Sequence, residues 1–176
     1  DIAPEHAGSL FVAALREAQE ECGLQLRCTD LRPWSRWITP RRPAMMSKRF
    51  DTRFFLARAP SAQIAIHDNH ETTEILWASP RQALMQYWAG DILLAPPQIM
   101  SLSHLSLYQS VDHALEDAAQ RTPPVIQPES FDVEGMRVIC YPGDPKHPVE
   151  QRALPESRTH HRWCRGIWES WKQVAS

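Results

Sequence analysis

Residues 16–24 read REAQEECGL, and this short stretch decides how the rest of the chain is read. Glu17, Glu20 and Glu21 stand at i, i+3 and i+4, positions that share one face of an α-helix. Upstream, Leu10, Ala14, Leu15 and Ala18 recur at helical spacing, so a helix is expected from about Glu5 to Cys22. Gly23 follows as a residue suited to ending it. No lysine and no arginine besides the adjoining Arg16 sits within the acidic face, so three like charges repel one another there. A hard divalent cation relieves such repulsion, because Mg²⁺ and Mn²⁺ favour carboxylate oxygens. A solvated acidic helix face is the plainer alternative that the spacing alone leaves open.

Outward from this helix the pattern becomes mixed. Residues 24–29 alternate apolar and polar and suggest a strand. Residues 33–43 carry Trp34, Trp37 and three prolines, and read as a short strand entering a basic loop. Residues 49–57 (RFDTRFFLA) give the strongest strand signal, and residues 63–67 and 74–79 suggest two more strands around the polar turn at 68–71. Ala83, Leu84, Tyr87 and Trp88 form one face of a helix after Pro80 that Gly90 stops. Pro96–Pro97 open another helix through about Gln109, and residues 111–121 form a third. Val125–Ile126 and residues 136–141 then read as strands, followed by PGDPKHP at 142–148. The class is α+β with mixed sheets.

Composition narrows the function. The chain has 176 residues, 19 basic and 21 acidic, and no basic excess to drive phosphate-backbone binding, so no nucleic-acid partner is expected. Apolar stretches are too short to span a bilayer, so no membrane partner is expected. Cys22, Cys28, Cys140 and Cys164 form no CxxC pair, which argues against a zinc ribbon and for free thiols in a reducing, cytoplasmic setting. Neither His147 nor His160–His161 has partners at metal-ligand spacing. No G-x-S-x-G elbow, G-x-G-x-x-G or Walker loop is present.

The string at 16–24 resembles the Nudix hydrolase box, G-x5-E-x7-R-E-U-x-E-E-x-G-U, with U a bulky apolar residue. Arg16, Glu17, Glu20, Glu21, Gly23 and Leu24 match, and Ala18 is a small substitute at the first U. Upstream the pattern fails: its leading glutamate falls on Gly8 and its leading glycine on Ile2. Either the loop before the helix is longer here or that part of the motif lies ahead of Asp1. A branch resembling the peroxisomal coenzyme A diphosphatases carries a long insertion before the helix, and on that resemblance the glycine-rich loop is expected ahead of Asp1. RFDTRFFLA, HETTEILWASPRQAL (70–84) and GDILLAPPQIMSLSHL (90–105) look like the same branch. The resemblance covers about residues 7–105, with the PGDP segment a weaker echo.

The resemblance implies a Nudix-type α/β/α sandwich with a mixed β-sheet whose N-terminal strands lie outside the chain. It also implies one domain over 1–176, of which 123–176 is a C-terminal extension. It further implies hydrolysis of a small-molecule diphosphate, with Mg²⁺ or Mn²⁺ held by Glu17, Glu20 and Glu21, and with Arg16 and Gly23 structural in the motif. The general base is a helix glutamate or, on a later loop, Glu71 or Glu74. Arg41, Arg42 and Arg49 offer guanidinium forks to substrate phosphates, such as the 3′-phosphate of coenzyme A; a solvated loop is the alternative. Trp34 and Trp37 suit the core better than a nucleobase platform. PGDPKHP reads as a rigid structural turn with Asp144 exposed. A Nudix-fold binding or regulatory domain without turnover is the second function class, and a homodimer is left open.

Overall fold

The structure is a computed structural model that describes residues 4–40, 49–67, 75–133, 136–154, 160–164 and 167–170. Four helices are described: α1 (Pro4–Cys22), α2 (Pro80–Ala89), α3 (Pro96–Leu105) and α4 (Val111–Gln120). The strands are β1 (Arg32–Ile38), β2 (Asp51–Leu56), β3 (Val125–Ile126), β4 (Glu129–Val133), β5 (Met136–Cys140), β6 (His160–Cys164) and β7 (Ile167–Ser170). One sheet has the order β2-β1-β3, with β1 and β3 parallel and Trp37 opposite Ile126. The other is an antiparallel meander, β4-β5-β6-β7. The α+β class is therefore observed. Among the described residues no helix is long and apolar enough to cross a membrane.

The chain forms two compact units, whose boundaries fall inside β1 and β2. The first holds residues 1–34, 53–77 and 110–123. In it α1 half-buries Leu10, Ala14, Leu15 and Ala18, the expected stripe. Phe11 meets Phe55 of β2 edge-on, with centroids 4.9 Å apart. Gly23 ends the helix at φ +69, where its N–H donates to Gln19 O at 2.9 Å and Leu24 N–H donates to Ala18 O at 3.2 Å. A Cβ at Gly23 would approach no atom closer than 3.7 Å, so glycine is needed for the left-handed backbone and not for space. Trp34 is 1% exposed and lies under the Arg121 guanidinium, 4.2 Å from its ring centroid.

The second unit holds residues 35–52, 78–109 and 124–176. Ser79 caps α2 through a reciprocal pair with Gln82, and Gly90 closes it at φ +86. Ile99, Met100 and His104 are buried on α3. Trp37 is buried and packs edge-on against Tyr141, with centroids 5.9 Å apart. Both tryptophans therefore belong to cores.

Several expected elements differ. Residues 24–29 form no strand: Gln25 N–H donates to the Gln63 side chain at 2.7 Å, and Cys28–Asp30 make a 3₁₀ turn. Residues 63–67 alternate in exposure as a strand does, yet Ile66 N–H donates to Cys22 O at the end of α1. In both, backbone groups go to a side chain or a helix end, so no ladder forms. Residues 75–79 are irregular as well. On α2 only Tyr87 of the expected face is buried, and Trp88 is 44% exposed. Strand β4 was not anticipated; it pairs with β5 in register from Glu129↔Cys140 to Val133↔Met136.

Candidate active site

The C-terminal half of α1 presents the acidic residues. Arg16 Nη2 lies 2.6 Å from Glu17 Oε1, and its Nε lies 3.8 Å from Glu20 Oε2. All three side chains are about half exposed or more, at 62%, 48% and 59%. Glu21 is half-buried and partnered, beside the stripe of Ala18 and Cys22. The helix thus divides the trio: two carboxylates share Arg16 in solvent, and the third turns toward the packed side. Among the described residues no group of three His, Cys, Asp or Glu is gathered closely enough to hold a metal ion. The donor chemistry still fits a hard divalent cation, since Mg²⁺ uses one or two carboxylates and completes its shell with water and phosphate oxygens. The Arg16 pairs are solvent-exposed and worth under about 1 kcal/mol each, so rearranging them costs little.

The exit of α1 is tied down from one side. Gln63 Nε2 donates to Gln25 O at 3.0 Å while its Oε1 accepts the Gln25 N–H. Together with the Ile66–Cys22 bond, this fixes the loop after Gly23 against residues 63–66.

Of the other expected site residues, Arg49 is exposed and donates to Thr39 O at 3.4 Å. Thr39 and Phe50 exchange backbone and hydroxyl hydrogen bonds at the stem of that loop. Arg41, Arg42, Glu71 and Glu74 lie outside the described residues.

Asp144 is 2% exposed, not exposed as expected. Its N–H donates to Tyr141 O at 3.0 Å, and its Oδ1 accepts Lys146 N–H at 2.8 Å. Gly143 at φ +94 closes the turn, donating to Val149 O at 2.8 Å. His147 Nδ1 accepts Val149 N–H and its Nε2 donates to Gln127 O, which is the neutral tautomer. The PGDPKHP segment is therefore a closed structural turn, in which Asp144 Oδ1 and both His147 ring nitrogens find backbone partners. Cys22, Cys28 and Cys140 are free thiols.

The sequence reading missed a second basic group. Arg27, Arg32 and Arg58 line one cavity of about 580 Å³ with Asp30, residues 59–62 and Leu115. No motif links positions so far apart in the chain.

Comparison with known proteins bears on this arrangement. Residues 27–105 match the model of the NUDT19 Nudix domain. That span starts after α1, so the box-like string at 16–24 stands beside it. The chain is 30% identical over 148 residues to the acyl-coenzyme A diphosphatase NUDT19 of Xenopus laevis, covering 77% of this chain and 38% of that one. It is 31% identical over 161 residues to the Gallus gallus protein of the same name, covering 78% and 42%. A putative nudix hydrolase 7 of Caenorhabditis elegans is 30% identical over 118 residues, covering 66% and 39%. The chain thus spans about two fifths of the length of these relatives. No solved structure matches. Residues 27–105 thus match a Nudix domain, with the box-like helix beside them, and the chain resembles the coenzyme A diphosphatase branch of the Nudix hydrolases.

Proposed function

We propose that this chain is the catalytic part of a metal-dependent diphosphatase acting on a coenzyme A-type substrate. One observation carries the reading: the REAQEEC run of the string lies on a single helix, with Glu17 and Glu20 open to solvent and the helix closed at Gly23. The printed names of the vertebrate relatives support the substrate class.

A diphosphate resists hydrolysis because its anionic oxygens repel an incoming nucleophile. Glu17, Glu20 and Glu21 would hold Mg²⁺ or Mn²⁺. When bound, the ion supplies charge neutralisation on the phosphate oxygens and makes water more acidic. Glu71 or Glu74, or a helix glutamate, would accept the proton of the attacking water. The water oxygen joins one phosphorus, the bridging P–O bond breaks, and the bridging oxygen leaves with the other phosphorus. Two phosphomonoesters result. Arg41, Arg42 and Arg49 would take the 3′-phosphate of the nucleotide.

The test is purified protein with Mg²⁺ or Mn²⁺ against coenzyme A, an acyl-coenzyme A, ADP-ribose and NADH. Coenzyme A-type substrates should be cleaved fastest. Faster cleavage of ADP-ribose would move the assignment to nucleotide sugars, and no cleavage of any would leave a binding domain.

A further inference from the structure

The cavity between the 3₁₀ turn and the loop after β2 lies within the first unit and has no part in the site described above. Its cations differ in how they are held. Arg27 is locked to Asp30 by Nε and Nη2 at 3.1 and 2.8 Å, and Asp30 also accepts the Arg27 N–H at 2.9 Å. These bonds, with a weaker charge attraction from Arg32, hold the Asp30 carboxyl below its ordinary range, so it stays ionised and engages mainly Arg27. Arg58 pairs with Asp112, both more than half exposed.

Arg32 is different. Its Nη1 donates to Thr29 O at 2.7 Å and Leu31 O at 3.1 Å. Carbonyl partners orient a guanidinium without cancelling its charge. Thr29 and Ser61 bring hydroxyls to the same wall, and Ala59, Pro60, Ala62 and Leu115 give an apolar face. An oriented cation, two further guanidiniums with exposed edges, hydroxyl donors and an apolar wall suit a dianion of several oxygens carried on an organic body.

We infer that this cavity binds a phosphate monoester, with Arg32 as its central contact and Arg27 and Arg58 at its rim. The wall at 58–62 is continuous with the Gln63 clamp on Gln25, which joins it to the exit of α1. Diphosphate cleavage yields phosphomonoesters, so the ligand's identity as substrate or product rests on the function proposed above; the binding does not.

The experiment separates the two. The purified chain, in EDTA so that the α1 glutamates hold no metal, is titrated with inorganic phosphate and with adenosine 3′,5′-bisphosphate while amide NMR shifts are followed. Saturable shifts at 27–32 and 58–62 are expected, tighter for the bisphosphate. Equal affinity for the two would support the site and assign it to free phosphate. Arg32→Gln should weaken the bisphosphate about tenfold or more, which is about 1.4 kcal/mol. Arg32→Lys should recover part of the loss. Arg58→Gln, at an exposed position, should weaken it about threefold, less so at high salt. This second variant decides the matter if Arg32→Gln disturbs the fold. Non-saturating shifts, or wild-type affinity in both Gln variants, would overturn the proposal. Binding by a protein that cleaves no diphosphate keeps the cavity and removes the substrate reading; cleavage without binding does the reverse.

Discussion

The acidic end of α1 and the turn after β5 both stood out as polar motifs, and the structure treats them oppositely. On α1 the Arg16, Glu17 and Glu20 side chains sit in solvent and pair with one another. In the turn, Asp144 and His147 are buried, and their hydrogen bonds go to backbone groups of the turn and of residue 127. Beside them Cys140 is fully buried, and burial with the nearby Asp144 carboxylate pushes its thiol up to about 11. Burial likewise raises Tyr141 above the ordinary tyrosine range. Exposed charges held by weak pairs are available to a ligand; buried groups held by backbone hydrogen bonds are committed to the fold.

The sharpest way to break this contrast is Gly143→Ala. An added Cβ would meet Arg152 Cγ at 2.3 Å and its Cα at 2.8 Å, at a φ of +94. Strain and overpacking together should cost about 2–5 kcal/mol, read from urea unfolding. A loss under about 0.5 kcal/mol would show that the turn is not a rigid element.

Glu20→Gln probes the other side. It should lower kcat by about a hundredfold or more under Mg²⁺ or Mn²⁺, since an anionic ligand is lost while size is kept. The metal-free melting temperature should hold or rise slightly, because repulsion along the face falls. Unchanged activity in both Glu20→Gln and Glu21→Gln would sink the assignment of this face.

A pH series sharpens the comparison next. The thiol of Cys140 titrates near 9 when unfolded and about 11 when folded, so its contribution is complete below pH 9 and lost as pH rises toward 11. Tyr141 acts in the same direction. Urea midpoints should therefore fall between pH 9 and 11, and Cys140 should resist thiol reagents at pH 8 while the exposed Cys28 reacts.

The smallest effect is expected at an exposed pair away from both regions. Arg36 grips Asp51 by two bonds at 2.9 and 2.7 Å, with the carboxylate 41% exposed. Asp51→Asn should cost no more than about 1 kcal/mol in urea unfolding, and less in high salt.

By itself the sequence determined the features whose causes are local. Helix α1 and its stop at Gly23, the Ser79 and Gly90 ends of α2, and strand β2 follow from side chains within one or two turns of the backbone they cap or pattern. The box-like spacing of Glu17, Glu20 and Glu21 was legible for the same reason. Tertiary structure decided the rest. Alternation at 63–67 suggested a strand, but Ile64 and Ile66 face solvent at 84% and 65% exposed, and the Ile66 N–H goes to Cys22 O instead of a ladder. Charge predicted an exposed Asp144, but only the closed turn supplied the backbone donors that let a carboxylate be buried. Arg27, Arg32 and Arg58 carry no signature because nothing short-range joins them; the fold alone brings their guanidiniums to one cavity.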